Sequence, residues 1–213
     1  MTARLWCFGR SGHSYKAALT MELSGYGWQP VFVDFFGGAA RSGDYQALNE
    51  MAEAPVFREG DLTLTQSSVI QLHVAGRTGR FQGRDANEVL RWMFWDNHKL
   101  SGQIGTLRFL MNFLPEAKRP AEVIRFLQGR MRASYQVLDR RLTGRDWIAD
   151  DQLTIADFTC CGYLYYPEPF GFDRAEWPAI DAWLARISAL PGWKHPYDLM
   201  PGNPSDRAPK EET

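Results

Sequence analysis

The chain has 213 residues, 45% hydrophobic and 23% charged, the composition of an ordinary globular protein with length for two small domains. Its formal net charge of −1 gives no global field to gather nucleic acid or an anionic membrane, and no apolar run approaches the roughly 20 residues of a membrane span. Three cysteines, two of them adjacent (Cys160 and Cys161), make no disulfide framework, so a reducing cytoplasm is the expected setting.

The N-terminus enters a strand pattern, Leu5–Phe8, with no signal-peptide core. Ser11-Gly12 reads as a loop. Ser14 to about Tyr26 reads as a helix, with Ala17, Ala18, Met21 and Leu23 at helical spacing, Ser14 as its N-cap, and Gly25 and Gly27 as its stop. Val31–Val33 is a second strand, and Gly37-Gly38 opens a loop toward a short helix near Asp44–Asn49. Ala54-Pro55-Val56-Phe57, a Gly60-Asp61 turn and Leu62-Thr63-Leu64 then form a hairpin. Its proline stands at the strand start, where no ladder bond is lost. A cis Ala54–Pro55 bond would bare the Ala54 N–H and C=O to an extended peptide. Gln66-Ser67-Ser68 opens a helix to about Ala75, whose free N–H groups and hydroxyls suit a carboxylate. The order β-α-β-α-β-β-α implies a mixed sheet with helices on its faces.

Polar, glycine-rich Gly76–Asp85 reads as a linker between a first domain, 1–78, and an all-helical second domain, 86–200. A helix runs from about Ala86 to Leu114. Val123, Leu127, Met131, Tyr135, Leu138 and Leu142 make one buried stripe of another. Thr154 and Asp157 form a capping box that starts a third, with Leu153 and Phe158 at staple positions, and a fourth covers about Trp177–Leu190. The aromatic residues of Trp92–Trp95 are expected in the core or at a dimer contact. Residues 201–213 are expected to be a mobile tail. The four histidines show no metal-ligand spacing, and no phosphate loop or dinucleotide fingerprint is present.

Five motifs in order resemble the soluble, cytosolic-type glutathione S-transferases, in a serine-type, bacterial-like form. They are Ser11-Gly12-His13-Ser14, Ala54-Pro55-Val56, Gln66-Ser67, Leu153–Phe158 and the Trp177–Leu184 helix with Pro191-Gly192-Trp193. The likeness spans about residues 3–195. It implies an α/β thioredoxin-like N-terminal domain that binds glutathione, followed by an all-α helical bundle for the second substrate. It further implies a homodimer, glutathione as co-substrate with no metal, and a small hydrophobic electrophile, as in detoxification.

A free thiol with a pKa of ~8.5 is mostly protonated at neutral pH, and the thiolate is the nucleophile. The resemblance gives Ser11 the task of donating a hydrogen bond to that sulfur. Trp6 and Phe8 bring no hydroxyl to the first strand, and Ser11-Gly12-His13-Ser14 replaces the Cys-x-x-Cys of a dithiol enzyme. The resemblance assigns Ala54, with Pro55 fixing the turn, to the cysteinyl backbone, and Gln66 and Ser67 to the γ-glutamyl end. It offers Arg41 for the glycyl carboxylate and His13 as a second donor or substrate-facing group. Trp95, Ser101 and Arg108 are candidate walls of the second-substrate site. Glu53 departs from the pattern, because a carboxylate there repels the glycyl end. That departure favours a rival reading, a non-catalytic binding protein of the transferase fold. A glutathione-dependent peroxidase, isomerase or dehalogenase is the third.

Overall fold

The structure, a computed structural model, describes residues 2–203. Residues 204–213, most of the expected tail, lie outside the described residues. Strand β1 (Ala3–Cys7) runs parallel to β2 (Trp28–Phe32) and antiparallel to β3 (Val56–Glu59), which pairs antiparallel with β4 (Leu62–Thr65). The sheet order is β2-β1-β3-β4. Ala3, Leu5 and Cys7 alternate into the core from the central strand. Strand β2 starts three residues earlier than its apolar run suggests and contains Pro30, which an edge strand tolerates because its outer side needs no donor.

Helices α1 (Gly12–Ser24) and α3 (Ser67–Thr78) pack together in a core shared with the sheet and the helical half. A smaller cluster of Phe8, Val33, Tyr45 and Val56 seats the short α2 (Gly43–Leu48). This is the mixed sheet with helices on its faces expected from the element order, in the thioredoxin-like arrangement that the resemblance implies.

The first helix begins two residues before the expected start. Ser11, with extended backbone at φ −91° and ψ 109°, is its N-cap and accepts the Ser14 N–H at 3.0 Å. Ser14 is therefore not the cap; it lies inside the helix, fully buried. A glycine is required at position 12, because a Cβ there would lie 2.5 Å from the Tyr163 ring.

Helix α3 continues through Thr78, so the segment read as linker gives its first residues to the helix. The remainder is anchored. Phe81 packs edge-on to Phe158 at 5.0 Å, and its carbonyl accepts the Ile155 N–H at 2.9 Å.

The expected 86–114 helix is continuous through 113 but not uniform. Helix α4 (Ala86–Trp95) widens into a π-helical turn over Asp96–Ser101, narrows in α5 (Gly102–Arg108), and widens again over Phe109–Phe113. Each widened turn shifts the phase of the residues after it. At Gly102 a Cβ would sit 2.8 Å from the Asn97 carbonyl oxygen, so glycine lets the turn close.

Helix α6 (Ala121–Leu142) buries Met131, Tyr135, Leu138 and Leu142. Val123 is 46% exposed, so the expected stripe fails at its N-terminal end, where the helix extends past the core. Helices α7 (Ile155–Cys161) and α8 (Pro178–Ser188) match the expected third and fourth, and a short α9 (Pro196–Leu199) follows. The capping box forms at α7, and the Asp157 carboxylate does more than cap. It accepts from Thr154 N–H at 2.9 Å, Ile148 N–H at 2.9 Å and Trp183 Nε1 at 3.0 Å, tying three segments together.

The two halves are stitched through α1. Lys16 pairs with Asp96 in the interior, and Thr20, Gln71 and Thr159 form a buried relay with contacts of 3.0 and 2.8 Å. Among the described residues, no helix is long and apolar enough to cross a membrane.

Candidate functional site

A cavity of about 590 Å³ opens where the sheet half meets the 97–113 helix. The loop from β1 to α1, the 49–55 segment, the start of α3 and the helical half each supply one wall. The volume suits a tripeptide-sized ligand with room beside it.

Ser11 is nearly buried at the N-terminus of α1. Its Oγ accepts the Ser14 N–H, its own N–H goes to the Phe8 carbonyl at 3.0 Å, and its carbonyl takes the Tyr15 N–H at 2.9 Å. The hydroxyl proton is uncommitted among the described residues, so Ser11 can still donate one hydrogen bond. The helix terminus behind it adds a partial positive charge.

The Ala54–Pro55 bond is cis. Pro55 is buried beneath the turn, and the Ala54 N–H and C=O make no hydrogen bond among the described residues. Helix α3 opens with no side-chain cap. Gln66 stands before it at φ 67°, a left-handed value uncommon for a residue with a side chain, and Ser67 is buried at its first turn. The Gln66 side-chain amide donates to the Glu53 carboxylate at 3.2 Å. Uncapped N–H groups and a hydroxyl thus face the cavity beside one carboxylate.

His13 lines the same wall, edge-on to Tyr163 at 5.4 Å. Burial, reinforced by the nearby Lys16 charge, pushes its pKa down to about 3, so its imidazole is neutral at working pH. The protein's own thiols are far from reactive. Burial pushes Cys7 up to about 12 and raises Cys160 and Cys161 well above the usual range, and all three are free and buried.

The structure therefore brings Ser11, His13, Glu53, Ala54, Pro55, Gln66, Ser67, Ser101 and Arg108 to one cavity. Two expected residues are not among its walls. Arg41 is the exposed last residue of a 3-10 turn, Ala39–Arg41, whose middle residue Ala40 is buried. Trp95 faces a separate hollow of about 320 Å³ with Lys99 and Arg130, because the widened turn after it rotates the following residues away from its face. Ser101 and Arg108 also hold the scaffold. Ser101 Oγ donates to Asp96 at 2.7 Å. Arg108, almost wholly buried, donates to the Arg10 carbonyl at 3.0 Å and to Glu168 at 2.9 Å, with its guanidinium 3.8 Å over the Tyr166 ring.

The aromatic walls Phe35, Phe36, Phe109, Phe113 and Tyr163 went unread in the sequence, as did Arg10. They come from three separated segments without a shared local pattern. Only the run Phe35-Phe36 before Gly37-Gly38, apolar residues at a loop mouth, hinted at them.

Comparison with known proteins agrees with this geometry. Residues 1–76 match the family model "Glutathione S-transferase, N-terminal domain", and residues 102–191 match "Glutathione S-transferase, C-terminal domain". A solved glutathione S-transferase from Xanthobacter autotrophicus is 30% identical, with a TM-score of 0.83 over 91% of this chain and 96% of that one. A possible glutathione S-transferase from Rhodopseudomonas palustris is 27% identical, with a TM-score of 0.85 over 99% and 97%. The disulfide-bond oxidoreductase YfcG of Escherichia coli is 24% identical over 86% of this chain and 89% of its own length. With both family halves matched in order around the shared cavity, the chain belongs to the glutathione S-transferase family.

Proposed function

We propose that this protein binds glutathione in the cavity and uses its sulfur, as thiolate, to attack a hydrophobic electrophile. The observation that carries the reading is Ser11. Its hydroxyl sits at a helix N-terminus with its proton uncommitted, in the same cavity as the unpartnered Ala54 backbone.

The cysteinyl N–H and C=O of glutathione would pair with Ala54 as an added strand pairs with a sheet edge. The γ-glutamyl carboxylate would accept the uncapped N–H groups of α3, beside Ser67 and the Gln66 amide. Ser11 would then donate to the sulfur. A donor to the charged form stabilises it, and the dipole of α1 acts in the same direction. The thiol proton leaves to solvent, and the sulfur pair forms the new bond to carbon. The displaced group departs with its electron pair, or the pair moves onto the acceptor. Neutral His13 offers an N–H to the same region without adding charge. Arg41 and Trp95 have no part in this scheme.

A second reading is favoured by the oxidoreductase among the relatives. The sulfur of glutathione would attack one sulfur of a disulfide, forming a mixed disulfide and releasing the other sulfur as thiolate. The buried cysteines of the chain take no part in it. Both readings use the same bound thiolate.

A second copy of the chain is the proposed partner, and three buried free thiols support a cytoplasmic setting. Calorimetry with millimolar glutathione tests the central step. Saturable binding, and a loss of at least about tenfold in aryl-chloride turnover for Ser11→Ala, support it. Absence of binding heat, or unchanged turnover, contradicts it.

A further inference from the structure

The charge on the cavity's second-substrate side is unbalanced. Two guanidinium groups line it, Arg10 and Arg108. Arg108 is neutralised by Glu168, which is not part of the wall. Arg10 has no carboxylate within ion-pair distance among the described residues. Its Nε is buried without a hydrogen-bond partner, and so is the Nε of Arg108. The acidic wall residue, Glu53, is held by the Gln66 amide at the mouth of α3.

Arg10 is also held in place. Its guanidinium carbon lies 5.7 Å from the centre of the Phe36 ring and 5.3 Å from that of Phe113, and those two rings are 4.9 Å apart. A cation against ring faces is partly stripped of water, yet the rings satisfy neither its hydrogen-bonding directions nor its full charge. A ligand carboxylate would supply both at once, through the paired N–H geometry of guanidinium. The flanking rings would stack the planar body that carries it.

We infer that the second substrate accepted beside Ser11 is a planar conjugated electrophile bearing an anionic group, and that Arg10 is the residue that selects it by pairing with that group. The inference rests on the glutathione reading above for its chemistry, and on Arg10 and its rings for its selectivity.

The test compares two aryl chlorides, a dinitrobenzoate with chlorine para to the carboxylate and its methyl ester. In both, the glutathione sulfur attacks the chlorine-bearing carbon, the C–S bond forms, chloride leaves with the bonding pair, and the thiol proton passes to solvent. The carboxylate is expected to exceed the ester in kcat/KM, after correction for uncatalysed reactivity, by about tenfold or more. Arg10→Met should collapse that ratio toward one, and Arg10→Lys should keep part of it. Equal use of carboxylate and ester by the native protein overturns the inference. So does an Arg10→Met variant whose ratio is unchanged, or one that weakens glutathione binding itself as strongly as it weakens carboxylate conjugation, because Arg10 would then serve glutathione. Calorimetric titration with unreactive dinitrobenzoate, without glutathione, separates the two readings. Arg10-dependent binding in a protein that ignores glutathione sustains the anion site and sinks the transferase reading, and no Arg10-dependent binding in that case sinks both.

Discussion

Lys16 of α1 meets Asp96 of the first widened turn in the interior, where neither side chain has any exposed surface. Ser101 Oγ donates to the other carboxylate oxygen at 2.7 Å. Burial raises the Asp96 pKa, against the opposing pull of Lys16. Removing one member of such a pair leaves a buried charge alone, which costs about 3–5 kcal/mol, whereas replacing both with apolar groups costs far less. Lys16→Met and Asp96→Leu should each lower unfolding free energy by that amount in urea titrations. The double variant should recover much of the loss. Additive losses in the cycle would show that the pair does not act as a unit.

Asp157 and His13 should give the stability curve opposing slopes. Burial holds Asp157 at about 6 against an ordinary 3.8, so the folded state binds the extra proton between those values and this group's contribution falls as pH rises through them. Burial and Lys16 hold His13 at about 3 against 6.5, so the unfolded state binds the extra proton and its contribution falls as pH drops. Between about pH 4 and 6 the two nearly cancel. Asp157→Asn should therefore expose an acid-side slope of up to about 1.4 kcal/mol per pH unit, and His13→Asn the reverse. Denaturant midpoints across that range check it.

The architecture was readable because its signals are local. Pro55 at a strand start, the αL glycine Gly25 after α1 and the Thr154–Asp157 box each act over a few residues, and each stands where it was expected. Gln66-Ser67-Ser68 was readable as a helix start for the same reason, whereas Ser11 was singled out by the resemblance, not by a local signal. What escaped depends on distant contacts. Ser11 and Ser14 are both competent caps in sequence, and the helix starts at Gly12 where Tyr163, far along the chain, leaves no room for a side chain. The widened turns at Asp96–Ser101 and Phe109–Phe113 keep a helical apolar pattern while changing its phase, so Trp95 and Arg108 look alike in sequence and face different hollows.

Glu53 beside Gln66 should weaken glutathione rather than abolish it, since an exposed carboxylate is well screened. Glu53→Gln should tighten glutathione about three- to tenfold at low salt, with the gain shrinking as ionic strength rises. Unchanged or weaker binding by calorimetry would mean that Glu53 supports the Gln66 amide more than it repels the ligand.

Phe94 on α4 is 69% exposed, and Val69 and Leu72 on α3 are exposed at 45% and 42%. Apolar surface of this kind on adjacent elements is the expected seat of a second copy. Phe94→Asp should weaken self-association by about tenfold or more in sedimentation velocity. A native chain that sediments as a monomer at high concentration contradicts the proposed self-association.

The most direct measurement is the ultraviolet titration of the glutathione thiol bound to the native protein and to Ser11→Ala. A bound thiol that ionises at least about one pH unit below its free value of ~8.5, with that shift largely lost in the variant, is the predicted result. Superimposable titrations of the two proteins, or a bound thiol that ionises as it does in water, would contradict Ser11 as the group that holds the sulfur anionic.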